Sequence, residues 1–310
     1  MSMTRRTFLA AGLGLAAGAR GVGGGSGGGA PGAAPMASRP IPRTGVALPV
    51  IGLGTWRTFD VGPDEAERAP RREVLRRFLA GGGRAIDSSP MYGAAEEVVG
   101  DLLAGLPPDL RSRAFLATKV WTSGRAAGEA QMAESLRKLR APRVDLMQVH
   151  NLLDWREHLA TLRAWKAQGR IRYAGVTHYA AGALDELEAV VRREGIDFVQ
   201  LPYSAARREA EARLLPAAAE TGTAVLVMRP FEEGDLFRAV RGRPLPAWAG
   251  ELGASTWSEV FLKFILGHPA VTAVIPATAS PEHVLENLRA GRGPLPDAAL
   301  RRRMARELRF

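Results

Sequence analysis

Cysteine is absent from the 310 residues. Its absence excludes disulfides, thiolate metal sites and a lipidated cysteine anchor, and it leaves the redox compartment open. Lysine is scarce. The net charge of +10 rests almost wholly on arginine, because the only lysines are Lys119, Lys138, Lys166 and Lys263. The arginines are scattered along the chain, apart from one cluster near the C-terminus (RRRMARELR). A nucleic-acid binder concentrates its charge on one face or in a tract, so an arginine-rich solvated surface is expected here and no nucleic-acid partner. No stretch approaches the roughly 18 uninterrupted apolar residues of a permanent membrane span. His178, His268 and His283 show no metal-ligand spacing with carboxylates, so no metal is expected, and a metal-dependent hydrolase or isomerase is disfavoured.

What is present begins at the N-terminus. Thr4-Arg5-Arg6-Thr7-Phe8-Leu9 precedes a short, weakly apolar stretch, AAGLGLAAGA, ending in Ala17-Gly18-Ala19. A charged start, a brief apolar segment and a small-x-small site form an export signal. The paired arginines before Phe-Leu resemble a twin-arginine signal. The expectation is therefore a signal peptide over residues 1–19, the twin-arginine translocase as partner during export, and a periplasmic location. Residues 20–42, with GGGSGGG among them, read as a flexible linker. The remainder, residues 43–310, reads as a single folded domain, since 46% hydrophobic content is enough for one large core.

From Arg43 the pattern becomes regular. RTGVALPVIGLG reads as a hairpin leading into a first strand. Seven further strands are expected at 83–87, 114–119, 143–149, 171–177, 197–201, 223–228 and 271–275. Helical periodicity fills 64–80, 94–104, 128–140, 154–168, 180–194, 208–221, 255–267 and 281–290. Eight β units, each followed by a helix, imply a parallel sheet with helices outside, and eight close most naturally into a (β/α)8 TIM barrel. An open doubly wound sheet would want a glycine-rich fingerprint after its first strand. Gly52-Leu53-Gly54-Thr55-Trp56 lacks the third glycine and leads into no helix at once. The segment 230–248 is the longest irregular stretch after the linker.

Four residues carry the chemistry. Asp87, Lys119 and His150 each end or follow a short apolar run, and Tyr92 lies five residues beyond Asp87. Barrel active sites are built at the C-terminal ends of the strands. An acid, a phenol, an ammonium and an imidazole on successive strand ends make a proton-donating site, suited to carbonyl reduction. When hydride reaches a carbonyl carbon, the oxygen needs a proton in the transition state. A phenol with a pKa of about 10 is a weak acid at neutral pH. Lys119, paired to a buried Asp87, is expected to lower that value. His150 is expected to orient the carbonyl.

The stretches GLGTW, AIDSSPMYGAAEEVVG, LATKVW, DLMQVHN, IRYAGVTHY, FVQLPYS and VIPATASPEHVLEN together resemble the aldo/keto reductase family across residues 45–292. The resemblance implies an eight-stranded barrel that uses NADPH, less often NADH, to reduce aldehydes and ketones. It implies Asp87, Tyr92, Lys119 and His150 as the catalytic tetrad, with Tyr92 as general acid. It assigns Thr177, His178 and Gln200 to the nicotinamide carboxamide and Tyr203 to stacking on its ring. Gly54, Thr55, Trp56 and Asn151 join the same cofactor site by that resemblance. Arg229 matches the loop over the pyrophosphate, where Glu232, Glu233 and Asp235 would repel phosphate. Thr278, Ser280 and His283 match the 2′-phosphate site, and Glu286 and Asn287 match adenine contacts. Many members have Lys and Arg at two of the 2′-phosphate positions; this chain has neither, and a helix N-terminus near Pro281 is expected to take the phosphate instead. Trp56, Trp121 and Trp155 stand just past strands and would wall an open substrate pocket. The alternative is a nicotinamide-binding accessory subunit with little turnover, motivated by the departures from the family pattern at Glu232, Glu233, Ala277 and His283.

Overall fold

The computed structural model describes residues 34–308. The expected signal peptide and the glycine-rich part of the expected linker lie outside the described residues. Two short strands come first, β1 (Ser38–Pro40) and β2 (Ala47–Pro49), paired antiparallel. Eight strands then form one parallel sheet: β3 (Leu53–Gly54), β4 (Ala85–Asp87), β5 (Phe115–Val120), β6 (Val144–His150), β7 (Ile171–Thr177), β8 (Phe198–Pro202), β9 (Ala224–Met228) and β10 (Ala273–Val274). They neighbour one another in chain order. Parallel bridges Ile51–Val274 and Gly54–Ala277 join the two edges and close the barrel. The closure is tight at Gly54, where a Cβ would sit 3.0 Å from the Ile275 carbonyl oxygen.

Helices α1 (Glu65–Ala80), α2 (Ala95–Ala104), α3 (Pro108–Arg111), α4 (Arg125–Lys138), α5 (Trp155–Ala167), α6 (Leu184–Glu194), α7 (Leu214–Thr221), α8 (Asp235–Ala239), α9 (Trp257–Leu266), α10 (Pro281–Ala290) and α11 (Ala298–Leu308) surround it. Strand side chains alternate between two faces, and the core accordingly divides in two. Val99, Val149, Val199, Leu201 and Leu262 belong to the shell between strands and helices. Ala85, Phe115, Ala117, Leu146, Tyr173, Phe198, Leu226 and Ala273 fill the barrel, together with Ile41 and Leu48 of the β1–β2 hairpin.

Three boundaries differ from the sequence reading. The linker expected through residue 42 ends earlier, because Ser38–Pro40 is paired and Ile41 is fully buried. The hairpin therefore opens at β1 rather than at Arg43. The segment 230–248 is not irregular throughout: it holds the 3₁₀ turn Glu232–Gly234 and α8, and a second 3₁₀ turn, Ala247–Leu252, begins at its end.

Candidate active site

Asp87 closes β4 and His150 closes β6, while Lys119 lies one residue before the end of β5. Each shares the inward face of its strand with residues of the barrel filling: Asp87 with Ala85, Lys119 with Phe115 and Ala117, His150 with Leu146. Lys119 is fully buried, and its Nζ donates to Asp87 Oδ2 and to the Ser88 carbonyl, both at 2.6 Å. The other carboxylate oxygen of Asp87 accepts the amides of Gln148 and Gln200, each at 3.0 Å. Gln200 is itself fixed by the Thr177 hydroxyl, which donates to its Oε1 at 3.1 Å. The Asp87 carboxylate thus has three side-chain donors, as a buried charge requires.

Tyr92 is half-buried in the loop after β4. Lys119 Nζ stands 4.9 Å from its ring centre, and the ring meets His150 edge-on at 5.9 Å. The four expected residues therefore converge. The expected lowering of the Tyr92 pKa is not the net result. Burial raises it, and Lys119 offsets that only in part while Asp87 adds to it. Burial also works against the Lys119 ammonium, but the Asp87 carboxylate and the Tyr92 oxygen outweigh it and hold its pKa above the usual value. His150 is driven the other way, down to about 2, by burial, the Lys119 ammonium and the nearby His178. At neutral pH the site holds a protonated phenol, an ammonium and a neutral imidazole.

Thr55 is fully buried, and its hydroxyl lies 3.0 Å from both the Asp87 carbonyl and Ser88 Oγ, tying the first loop to β4. Asn151 begins a turn in which Asn151, Leu152 and Asp154 all have positive φ. Its Oδ1 is buried without a partner among the described residues, as is Gln148 Oε1. His178 accepts the Ala180 N–H and stacks on Tyr179. Trp56 and Trp121 stand exposed at the rim, and Trp121 lies 6.4 Å from His150. The backbone of Trp121 is clamped on both sides by Gln131 of α4.

Tyr203 does not enter the site. It follows β8 on the outward parity with Val199 and Leu201, is fully buried in the outer shell, and packs on Phe264 and His268. Its hydroxyl donates to Glu211 at 2.5 Å and also meets Arg301, so it is not free to stack on a cofactor. Trp155 likewise points elsewhere, donating to Glu186 beside a surface groove between α5 and α6.

Arg229 was expected to meet phosphate, but its guanidinium is bound to Glu233 and lies over Tyr179. Glu233 also reaches Arg57 at 3.6 Å, and Glu232 accepts from Ser204 and Arg207. The N-terminus of α10 is also less open than expected. Ser280 Oγ accepts the N–H groups of Glu282 and His283, and Thr278 Oγ1 accepts that of Ser280. Thr278, His283, Glu286 and Asn287 do share one groove of about 460 Å³, walled by Phe231, Phe237 and Trp257. Asn287 is buried there and accepts from Ser258 at 2.8 Å. Buried acceptors without partners beside His150 and an aromatic-walled groove beside α10 fit the two ends of a nicotinamide dinucleotide.

Sequence reasoning missed Gln148, Ser89, Met91 and Tyr179. Gln148 carried a readable signal, since it sits two residues before His150 and so on the same face of the strand. Ser89 accompanies His150 at 3.0 Å. Met91 and Tyr179 are exposed apolar residues, each just past a barrel strand.

Known proteins resemble this chain in sequence and in fold. The family model described as the aldo/keto reductase family matches residues 50–303. A curated relative, aldo-keto reductase YhdN of Bacillus subtilis (strain 168), is 31% identical over 60% of this chain and 60% of its own length. The NADH-specific methylglyoxal reductase of Escherichia coli (strain K12) is 25% identical over 88% of this chain and 99% of its own. Among solved structures, an aldo-keto reductase from Klebsiella pneumoniae in complex with NADPH superposes with a TM-score of 0.73 at 27% identity, covering 89% of this chain and 95% of that one.

Proposed function

The chain belongs to the aldo/keto reductase family, and on that premise we propose that it is an NAD(P)H-dependent carbonyl reductase with Tyr92 as general acid. The observation that carries the reading is the Lys119 ammonium, fully buried, 2.6 Å from Asp87 and 4.9 Å from the Tyr92 ring. An ammonium kept charged in such a place has a task beyond packing.

Bound reduced nicotinamide supplies the hydride. The chain's residues manage the proton. Burial keeps the Tyr92 phenol protonated at rest, so the proton is present when a carbonyl arrives. As the proton leaves, negative charge develops on the Tyr92 oxygen beside Lys119. A preorganised cation there stabilises that charge without reorganisation. Asp87, held by Gln148 and Gln200, keeps Lys119 charged and fixed. His150, neutral, hydrogen-bonds the carbonyl oxygen and sets its angle. Asn151, Thr177 and Gln200 would hold the nicotinamide end, and the groove of Thr278, His283, Glu286 and Asn287 the adenosine end. NADPH is the first choice of cofactor, following the NADPH-bound structural neighbour, with NADH second, following the NADH-specific relative. Trp56 and Trp121 suit an apolar carbonyl substrate. Of the departures that motivate the accessory-subunit alternative, Glu232 and Glu233 are each paired with arginine, while Ala277 and His283 line the groove beside α10. The buried Lys119–Asp87 pair beside Tyr92 favours turnover.

The test is absorbance at the nicotinamide band, with NADPH and NADH offered in turn against aromatic aldehydes and methylglyoxal. The wild-type chain should oxidise cofactor. Tyr92→Phe should lose roughly 10² or more in rate and still bind cofactor by fluorescence. Equal rates in the two proteins would remove Tyr92 from its role.

A further inference from the structure

Two serines follow Asp87, and the turn sends their side chains in different directions. Ser88 Oγ lies 3.0 Å from Thr55 Oγ1, at the junction with the first loop. Ser89 is fully buried and its Oγ lies 3.0 Å from His150 Nδ1. The same Oγ accepts the Met91 N–H at 3.3 Å. A hydroxyl has one proton to donate and two lone pairs. With Met91 on one lone pair, the proton has a single acceptor within reach among the described residues, His150 Nδ1.

A neutral imidazole carries its proton on one nitrogen, and the hydrogen bond made by the other decides which. If Nδ1 accepts, the proton sits on Nε2. His150 Nε2 makes no hydrogen bond among the described residues, and it is not among their buried atoms left without a partner. It is therefore the nitrogen open to a ligand, on a ring that lies between Tyr92 and Trp121. A carbonyl oxygen arriving there needs a donor, because a second lone pair would repel it.

We propose that Ser89 is a positioning residue that holds His150 in its Nε2–H tautomer, so that the ring donates to the substrate carbonyl. The inference rests on the reductase reading for its purpose, but the tautomer itself is a property of the protein alone. A doubly protonated ring would also donate, yet burial and the Lys119 ammonium keep His150 from charging. Removing the Ser89 hydroxyl leaves Nδ1 free to take the proton, and the ring then populates both tautomers. Partners that fix an imidazole in this way change activity by roughly 10- to 100-fold when they orient metal ligands, and a loss of that order is expected here.

The experiment uses the full chain labelled with ¹⁵N-histidine, with His150 assigned by the signal lost in His150→Gln. Long-range ¹H–¹⁵N correlation at neutral pH should show His150 protonated at Nε2, with Nδ1 a bare acceptor. Ser89→Ala should move both nitrogen shifts toward a tautomer mixture and lower kcat/KM roughly tenfold or more. Ser88→Ala, an equal deletion one residue away, should leave the His150 shifts in place. Wild-type protein protonated at Nδ1 would overturn the inference, as would His150 shifts indifferent to Ser89→Ala. A wild type with the predicted tautomer but no turnover of any carbonyl would sink the reductase reading and leave the assignment of Ser89 standing.

Discussion

Burial, the Lys119 ammonium and His178 hold the pKa of His150 near 2, and that has a consequence for stability. An unfolded histidine titrates at about 6.5. Between the two values the unfolded chain binds a proton that the folded chain refuses, so stability rises with pH across that window. The contribution is complete above pH 6.5 and is lost as pH falls below it, at a rate limited to about 1.4 kcal/mol per pH unit for one group. His268, lowered to about 4 chiefly by burial, adds to the loss in the upper part of the window. Denaturant unfolding of wild type should therefore weaken steadily from pH 6.5 to pH 4.5. His150→Gln should show a shallower decline, and parallel declines would refute the assignment. Sequence alone located Asp87, Tyr92, Lys119 and His150, because strand ends are visible as short apolar runs. It could not supply the direction of the Tyr92 pKa, since burial is a property of the assembled barrel. Tyr203 was misplaced for a simpler reason. Counting by twos from Gln200 reaches Pro202 on the inner face and leaves Tyr203 on the outer one.

Strands transmit that alternation into the site, and β7 shows how little room they leave. Gly175 lies opposite Gln148 on β6 and Phe198 on β8. A Cβ at Gly175 would come 2.7 Å from the Phe198 carbonyl oxygen and 3.3 Å from Gln148 Cγ. The carbonyl belongs to the sheet and cannot turn aside cheaply, so the added methyl must push on Gln148 or spread the strands. Gly175→Ala should therefore cost about 1–3 kcal/mol, the usual range for overpacking. It should also lower the reductase rate, because Gln148 is one of the donors that fix Asp87. A chemical melt within about 0.5 kcal/mol of wild type would show that the strands absorb the methyl. The eight strands were legible as elements because each carries a β-branched or apolar run between turn signals. Their ends were less so: β10 is only Ala273–Val274, and the edge bridges beside it come from pairings distant in sequence. The four-residue α3 and the short 3₁₀ turns after Pro230 are too brief to show a helical period.

Across the whole barrel, stability and chemistry sit at opposite ends. The tetrad occupies the C-terminal ends of the strands, and the β1–β2 hairpin is packed against the N-terminal ends. Ile41 and Leu48 are buried among Phe115, Tyr173 and Phe198. Arg39 donates to the carbonyls of Leu266, His268 and Val271, and Arg43 to those of Ile196 and Thr221. These partners lie more than 150 residues away in the chain. That distance is why residues 38–42 read as linker from local composition alone. The division of labour is testable with one substitution. Ile41→Ala removes a fully buried side chain from the closed end, where the surrounding rings can collapse only in part. It should cost about 2–5 kcal/mol in denaturant unfolding. The kcat/KM of the folded fraction at 25 °C should stay close to wild type, because none of the hydrogen bonds that hold Asp87, Lys119 or His150 involves the hairpin. A variant that kept its stability would show that the hairpin does not plug the barrel. A destabilised variant whose folded fraction also lost turnover would mean that the two ends are coupled through the filling, layer by layer, from Phe115 through Ala117 to Lys119.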